Sequence, residues 1–368
     1  MARVRAARPR KTGPAGYLFW VLSDIHADAA NTTLPVRYEA IKRDFIPAMQ
    51  RITDCYPEDV HGGLLLLGDL TRTSMRDDYL RFTDLVFRPF RDALGDSARV
   101  YAVPGNHDHM RSVMPSDAVR PGKNGGAPTS LHPKTLSSHY DRLSVVADES
   151  QWEARVGSRF FQFDRWAREH TSIASKWTGG PWMADVPPDG RNPGFSLRLV
   201  GLNSAVASDG SGEESGLWVH HAQLAKVLAD APSDGAVTLT LLHHAPDRDL
   251  DARDGETLAL LYAQSRLVLH GHYHEFGGVP AAPGRPPMLR MPALGHPQPK
   301  EGIDPNLRDG CAVIRVLRDR VQAFFLSHRQ PENFGTMAAV YDHAPDGTPM
   351  PTCELSYSPG GTIHKVGP

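Results

Sequence analysis

Five short clusters hold the residues of this chain best suited to chemistry. They are Asp24-Ile25-His26, Gly68-Asp69, Gly105-Asn106-His107-Asp108, His243-His244 and Gly271-His272-Tyr273-His274. Together they offer seven candidate nitrogen and oxygen ligands for metal: Asp24, His26, Asp69, Asn106, His243, His272 and His274. His107 is left over as a spare imidazole. Carboxylates, imidazoles and a neutral amide are donors that hold two cations while leaving coordination positions open. Two cations about 3.5–4 Å apart can clamp the attacking and leaving oxygens of a phosphoryl centre. The inventory therefore points to one dinuclear site that hydrolyses a phosphate ester. Taken singly, an Asp after a strand is an ordinary turn residue, and a lone His is an ordinary hydrogen-bonded one. Joint occurrence is what carries the reading.

Each cluster follows a run that reads as a buried strand. Residues 17–23 are apolar up to Ser23, as in a strand covered on both faces. Gly63–Leu67 and Arg99–Val103 are strands of the same kind, as are Phe195–Leu202, Ala236–Leu242 and Arg266–Leu269. Val36–Cys55 places Tyr38, Ile41, Phe45, Met49 and Ile52 at helical spacing. Asp78–Phe90 is helical in pattern until Pro89 stops it. His220–Ala229 and Glu256–Gln264 complete an alternation of strand and helix that predicts βαβ units. Ligands in such sheets collect beyond the carboxyl ends of the strands, where all five clusters fall. Alternation along a strand would send Asp24 and His26, and likewise His272 and His274, to one side. Gly68, Gly105 and Gly271 would let backbone approach the ligands closely.

The pattern fails between about residues 110 and 194, which reads as an insertion or cap carrying Trp152, Phe160, Phe161, Phe163 and Trp166. These aromatics fit either a small core or a grip on substrate. Cys311–Leu317 and Val321–Leu326 read as a hairpin, and the chain beyond Gln330 as an irregular extension. The expected organisation is a basic flexible tail over 1–16, a catalytic domain over 17–330 and a C-terminal extension over 331–368.

A net charge of −2 over 368 residues gives no support for nucleic-acid or membrane partners. No apolar stretch approaches the roughly 20 residues of a membrane span. Three widely spaced cysteines form neither a disulfide framework nor a thiolate metal site, and suit a cytoplasmic protein. The basic segment Met1–Lys11 precedes an apolar run, but cleavage there would remove the strand that positions Asp24 and His26.

The ordered set D-x-H, G-D, G-N-H-D, H-H-x-P and G-H-x-H resembles that of the calcineurin-like metallophosphoesterase family. The resemblance implies a four-layer α/β/β/α sandwich with two central sheets, here with an inserted cap. It implies that Asp24, His26 and His274 bind one metal, that Asn106, His243 and His272 bind the other, and that Asp69 bridges them. His243 is chosen over His244 because it aligns with the first histidine of the family's H-H-P pattern. A metal-bridging hydroxide would attack phosphorus, His107 would protonate the leaving oxygen, and Asp108 would orient His107. Two Mn, Fe or Zn ions are implied, with Mn favoured.

The family's protein phosphatases carry G-D-x-V-D-R-G and G-N-H-E, whereas this chain has Arg72 three residues after Asp69, and Asp108 in place of Glu. It looks more like the bacterial branch that contains cyclic-nucleotide and glycerol-phosphodiester phosphodiesterases. The expected activity is therefore that of a phosphodiesterase of small substrates. A nuclease, a phosphomonoesterase and a non-catalytic scaffold are the alternatives. Oligomeric state is not legible.

Overall fold

Six consecutive apolar residues can face water on neither side, and Tyr17–Leu22 (β1) is buried along its whole length. The computed structural model in which it lies describes residues 15–31, 34–110, 152, 157–173, 178–206, 208, 217, 219–229, 235–250, 255–294, 310–318, 320–327, 336–343 and 349–358. β1 pairs in parallel with Val60–Leu67 (β2), which pairs in parallel with Val100–Val103 (β3). A second sheet is built on Leu197–Gly201 (β5), Val237–Leu241 (β6) and Leu267–His270 (β7), also parallel. Trp182–Val186 (β4) closes one edge of it antiparallel to β5. Gly277–Val279 (β8) and Met288–Arg290 (β9) close the other.

Side-chain alternation divides the core into three slabs. Phe19 and Val21 point between the two sheets, where they meet Leu199, Leu239, Leu241 and Leu269. Leu18, Trp20 and Leu22 point the other way, onto the helix Leu34–Asp54 (α1) through Phe45, Met49 and Ile52. The far face of the second sheet packs Val200, Leu242 and Val268 against Leu224 and Leu261 of the helices His221–Ala229 and Gly255–Gln264. The layering is helix, sheet, sheet, helix, as the resemblance implies. Among the described residues no helix is long and apolar enough to cross a membrane.

Three sequence expectations change. The helix expected to stop at Pro89 continues, as Arg76–Phe82 (α2), a π-helical turn over Thr83–Phe87, and Arg88–Leu94 (α3). In the wide turn the Arg88 amide bonds to the Thr83 carbonyl. Pro89 lies at the start of α3 directly after the π-turn, and the chain stays helical through it. Second, the described part of the 110–194 insertion belongs to the fold. Phe163 and Trp166 of the helix Phe161–His170 enter the core beneath α2, while Trp152 and Phe160 enter the slab behind the second sheet. Residues 111–151 lie outside the described residues. Third, the segment past residue 330 adds strands. The hairpin Gly310–Val316 (β10) and Arg320–Ser327 (β11) forms as expected, β10 pairs with β1, and Thr336–His343 (β12) and Pro349–Ser358 (β13) extend the sheet from β11. That sheet runs β13-β12-β11-β10-β1-β2-β3. Backbone pairing along a free edge builds these strands, and the Gly- and Pro-rich flanks mask them in sequence.

Candidate metal centre

All five clusters lie just beyond the carboxyl ends of strands: β1, β2 and β3 in one sheet, β6 and β7 in the other. The site therefore sits at the seam between the sheets. Backbone bonds hold the loops in register: Asp24 N–H to the Gly68 carbonyl (3.1 Å), His26 N–H to the Asp69 carbonyl (2.9 Å), and Gly271 N–H to the His243 carbonyl (3.0 Å). The His272 amide crosses from one sheet to the other to donate to both oxygens of Asp24 (3.2 and 3.0 Å).

The expected alternation along extended strands does not place the pairs. Asp24, His26, Asp69, His272 and His274 all have left-handed backbone, with φ of 52°, 50°, 52°, 74° and 60°. L-residues adopt this conformation at a cost, and such costs collect at functional sites. The tight turns aim both members of each pair inward, which a straight strand would also have done. Gly105 and Gly271 are needed for closeness: a Cβ on the first would stand 2.2 Å from Asp69 Oδ1, and on the second 2.6 Å from Asp24 Oδ2.

Within this frame His26 Nε2 lies 3.2 Å from His274 Nε2 and 3.7 Å from Asp69 Oδ2. His274 Nε2 is 3.3 Å from Asp24 Oδ1. His243 Nδ1 donates to the Leu67 carbonyl (2.7 Å), which turns its Nε2 toward Asp69 Oδ2 at 3.3 Å and Asp24 Oδ1 at 3.8 Å. The ring of His272 is 5.3 Å from that of His243. Two atoms in this cluster are buried without a hydrogen bond, His243 Nε2 and Asn106 Oδ1. Buried polar atoms are rarely left so. Together with facing imidazole nitrogens and acid-rich surroundings, they fit a cation-binding donor set. Asp24, His26 and His274 converge within ligating distance, as do Asp24, Asp69 and His243, and His243, His244 and His272.

The electrostatics agree. Burial raises the Asp24 and Asp69 carboxyls, but the facing histidines, His243 foremost, outweigh it and hold both below the ordinary carboxylate range. Burial lowers His243, yet Asp69 and Asp24 push it up to about 10.

Asp108 does not take the place beside the His107 ring that was expected of it. The His107 amide donates to Asp69 Oδ1 (2.7 Å), and its ring Nδ1 lies 2.8 Å from the Arg72 carbonyl. A carbonyl only accepts, so Nδ1 carries the hydrogen. Asp108 makes no contact with that ring. Its carboxylate turns inward and accepts from the amides of Leu70 (3.1 Å), Thr71 (3.2 Å) and Gly105 (3.0 Å), the Thr71 hydroxyl (3.3 Å) and the Tyr79 hydroxyl (3.1 Å). Three amides and two hydroxyls are stronger competitors for it than one exposed imidazole. The Arg72 backbone orients His107, and Asp108 ties the β2 loop to the β3 loop. Sequence reasoning also left Ser204 unassigned, although it closes β5: its hydroxyl is 2.9 Å from His244 Nδ1, and its partner's ring is 4.6 Å from His272.

The sequence profile of the calcineurin-like phosphoesterases matches residues 17–276. No curated protein matches. Solved structures similar to this chain include GAP50, the anchor in the inner membrane complex of Plasmodium (10% identity, 86% of each chain covered, TM-score 0.47). Another is phosphopantetheinyl hydrolase from Mycobacterium tuberculosis (14% identity, 78% of this chain and 100% of that one, TM-score 0.37). A third is a metallophosphoesterase from Sphaerobacter thermophilus (12% identity, 84% and 88%, TM-score 0.29).

Proposed function

This chain belongs to the calcineurin-like phosphoesterase family, and we propose that it is a metal-dependent phosphodiesterase of small substrates. In this reading Asp24, His26 and His274 would hold one cation, Asn106, His243 and His272 would hold a second, and Asp69 would serve both. The observation that carries it is the convergence of these side chains around two buried atoms without hydrogen bonds, His243 Nε2 and Asn106 Oδ1. Mn²⁺ is the favoured occupant among Mn, Fe and Zn, all of which suit mixed oxygen and imidazole donors.

Bound cations supply Lewis acidity and neutralise charge at a phosphoryl centre. The protein does the rest. The carboxylates of Asp24 and Asp69 would supply the negative charge that counters the cations. His107 donates through Nδ1 to the Arg72 carbonyl, which orients its ring at the site. As an imidazolium it can pass a proton to the departing alkoxide. Its ring centroid is 4.8 Å from that of His26, so it borders the cluster.

The test is hydrolysis of bis(p-nitrophenyl) phosphate beside p-nitrophenyl phosphate by Mn²⁺-loaded protein, with Asn106→Ala as control. Faster diester cleavage, lost in the variant along with one equivalent of bound metal, is expected. Faster monoester cleavage would make the protein a phosphomonoesterase.

A further inference from the structure

Tyr273 separates His272 from His274 in sequence, and its ring lies 5.2 Å from that of His272. Its hydroxyl donates to Asp249. The guanidinium carbon of Arg248 lies 4.3 Å from the centre of the same ring. A cation–π stack of this kind fixes a long side chain while leaving the N–H donors at its edge available.

The other charges nearby are already matched. Arg290, 5.4 Å from the Tyr273 ring, has its Nη2 2.8 Å from Glu275. Asp247 faces Arg285 at 3.7 Å. Asp249 accepts from the Tyr273 hydroxyl and the Ala245 amide. Arg72, whose carbonyl meets His107, is paired with Asp28 at 3.3 Å. Arg248 is exposed, and among the described residues no carboxylate forms a salt bridge with it. A held guanidinium that forms no salt bridge among the described residues, beside a candidate phosphoryl site, can receive a phosphate, since its planar fork matches one in bidentate fashion.

We propose that Arg248, stacked on Tyr273, binds a second phosphate of the substrate, so that the enzyme prefers esters of diphosphate type over simple phosphodiesters. This rests on the phosphohydrolase reading of the centre. The reacting phosphoryl group sits among Asp69, Asn106 and His107, and the neighbouring phosphate reaches past His272 to the guanidinium edge. Arg248 is a specificity-determining residue here and takes no part in proton transfer.

The experiment is calorimetric titration of Mn²⁺-loaded protein, freed of excess metal, with methylphosphonate and with methylenediphosphonate, neither of which is hydrolysed. Wild-type protein is expected to bind the diphosphonate at least about tenfold more tightly, the worth of one charge-assisted contact. Arg248→Ala should erase that preference while still binding methylphosphonate, which also shows that the variant is folded. Arg248→Lys should restore part of it, because it keeps the charge and loses the fork. Equal affinities in wild-type protein, or an unchanged preference in Arg248→Ala, would overturn the Arg248 site alone. Binding of neither phosphonate by metal-loaded wild-type protein would overturn the phosphohydrolase reading with it.

Discussion

Replacing Asp108 by asparagine separates an orienting role from an anchoring one. Burial, and then the Asp69 charge, push its carboxyl up to about 6, against the pull of the Gly105, Leu70 and Thr71 amides. At neutral pH it is still ionised and accepts only. An asparagine amide would turn N–H groups toward some of these donors. Asp108→Asn should therefore cost about 1–3 kcal/mol of stability, read as a lower midpoint in urea, and activity should fall through loss of loop order. Were Asp108 merely an aid to His107, the midpoint would stay put and only turnover of esters with poor leaving groups would drop. Arg72 illustrates the converse. Its side chain drew attention in the sequence, but its carbonyl is what reaches His107 (2.8 Å). Backbone acceptors leave no trace in residue type.

Elements place these residues through closeness, and closeness is testable. Gly105→Ala would put a methyl 2.2 Å from Asp69 Oδ1, with the Asp69 amide only 2.5 Å away on the same side. Since both contacts belong to the loop that carries a central carboxylate, the expected result is metal content below half of wild type, measured by mass spectrometry of the dialysed protein. Full metal content would show that the loops can yield. Trp166→Ala tests the helix Phe161–His170 in the same spirit. Its indole N–H donates to the Thr83 hydroxyl (3.0 Å) and its ring meets Phe82 and Phe87, each at 5.2 Å. Loss of a buried tryptophan costs about 3–5 kcal/mol, so the unfolding midpoint should drop sharply. A raised KM with unchanged stability would instead restore a substrate-gripping cap. What was legible in sequence follows the same division. The candidate clusters could be read because each is contiguous and follows an apolar run, as Asp24 follows β1 and His272 follows β7. The continuation through Pro89 could not, because a π-turn depends on how Trp166 and Phe87 pack. The strands past residue 330 could not either, because edge pairing answers to β11 rather than to their own pattern. The left-handed turns at Asp24 and His26 were hidden too, because nothing in residue type marks positive φ at an Asp or His.

At the scale of the whole molecule, the centre is a joint between two sheets. Asp24, His26, Asp69 and Asn106 hang from one sheet, and His243, His272 and His274 from the other. Between the sheets lies a slab held mostly by non-directional apolar contact, with Phe19 and Val21 on one side and Leu241 and Leu269 on the other. Apolar burial supplies most of the stability, but it does not specify the register of one sheet on the other to within an ångström. Ligands fixed to both sheets do. A metal bound here must therefore report on the global fold rather than on one loop, because unfolding either sheet destroys the site. By linkage, a ligand at a hundred times its dissociation constant adds about 2.7 kcal/mol of stability for each independent site. Mn²⁺ should raise the melting temperature of the whole protein by several degrees in a single transition, and chelation should reverse it. Asn106→Ala and His274→Ala, one candidate donor from each sheet, should each blunt the rise. The two arrangements predict different traces. A centre confined to one sheet would give an early, metal-insensitive step as the other sheet melts, followed by a metal-dependent one. A centre at the seam leaves one transition that moves as a unit, and loss of a donor from either side then weakens the same transition.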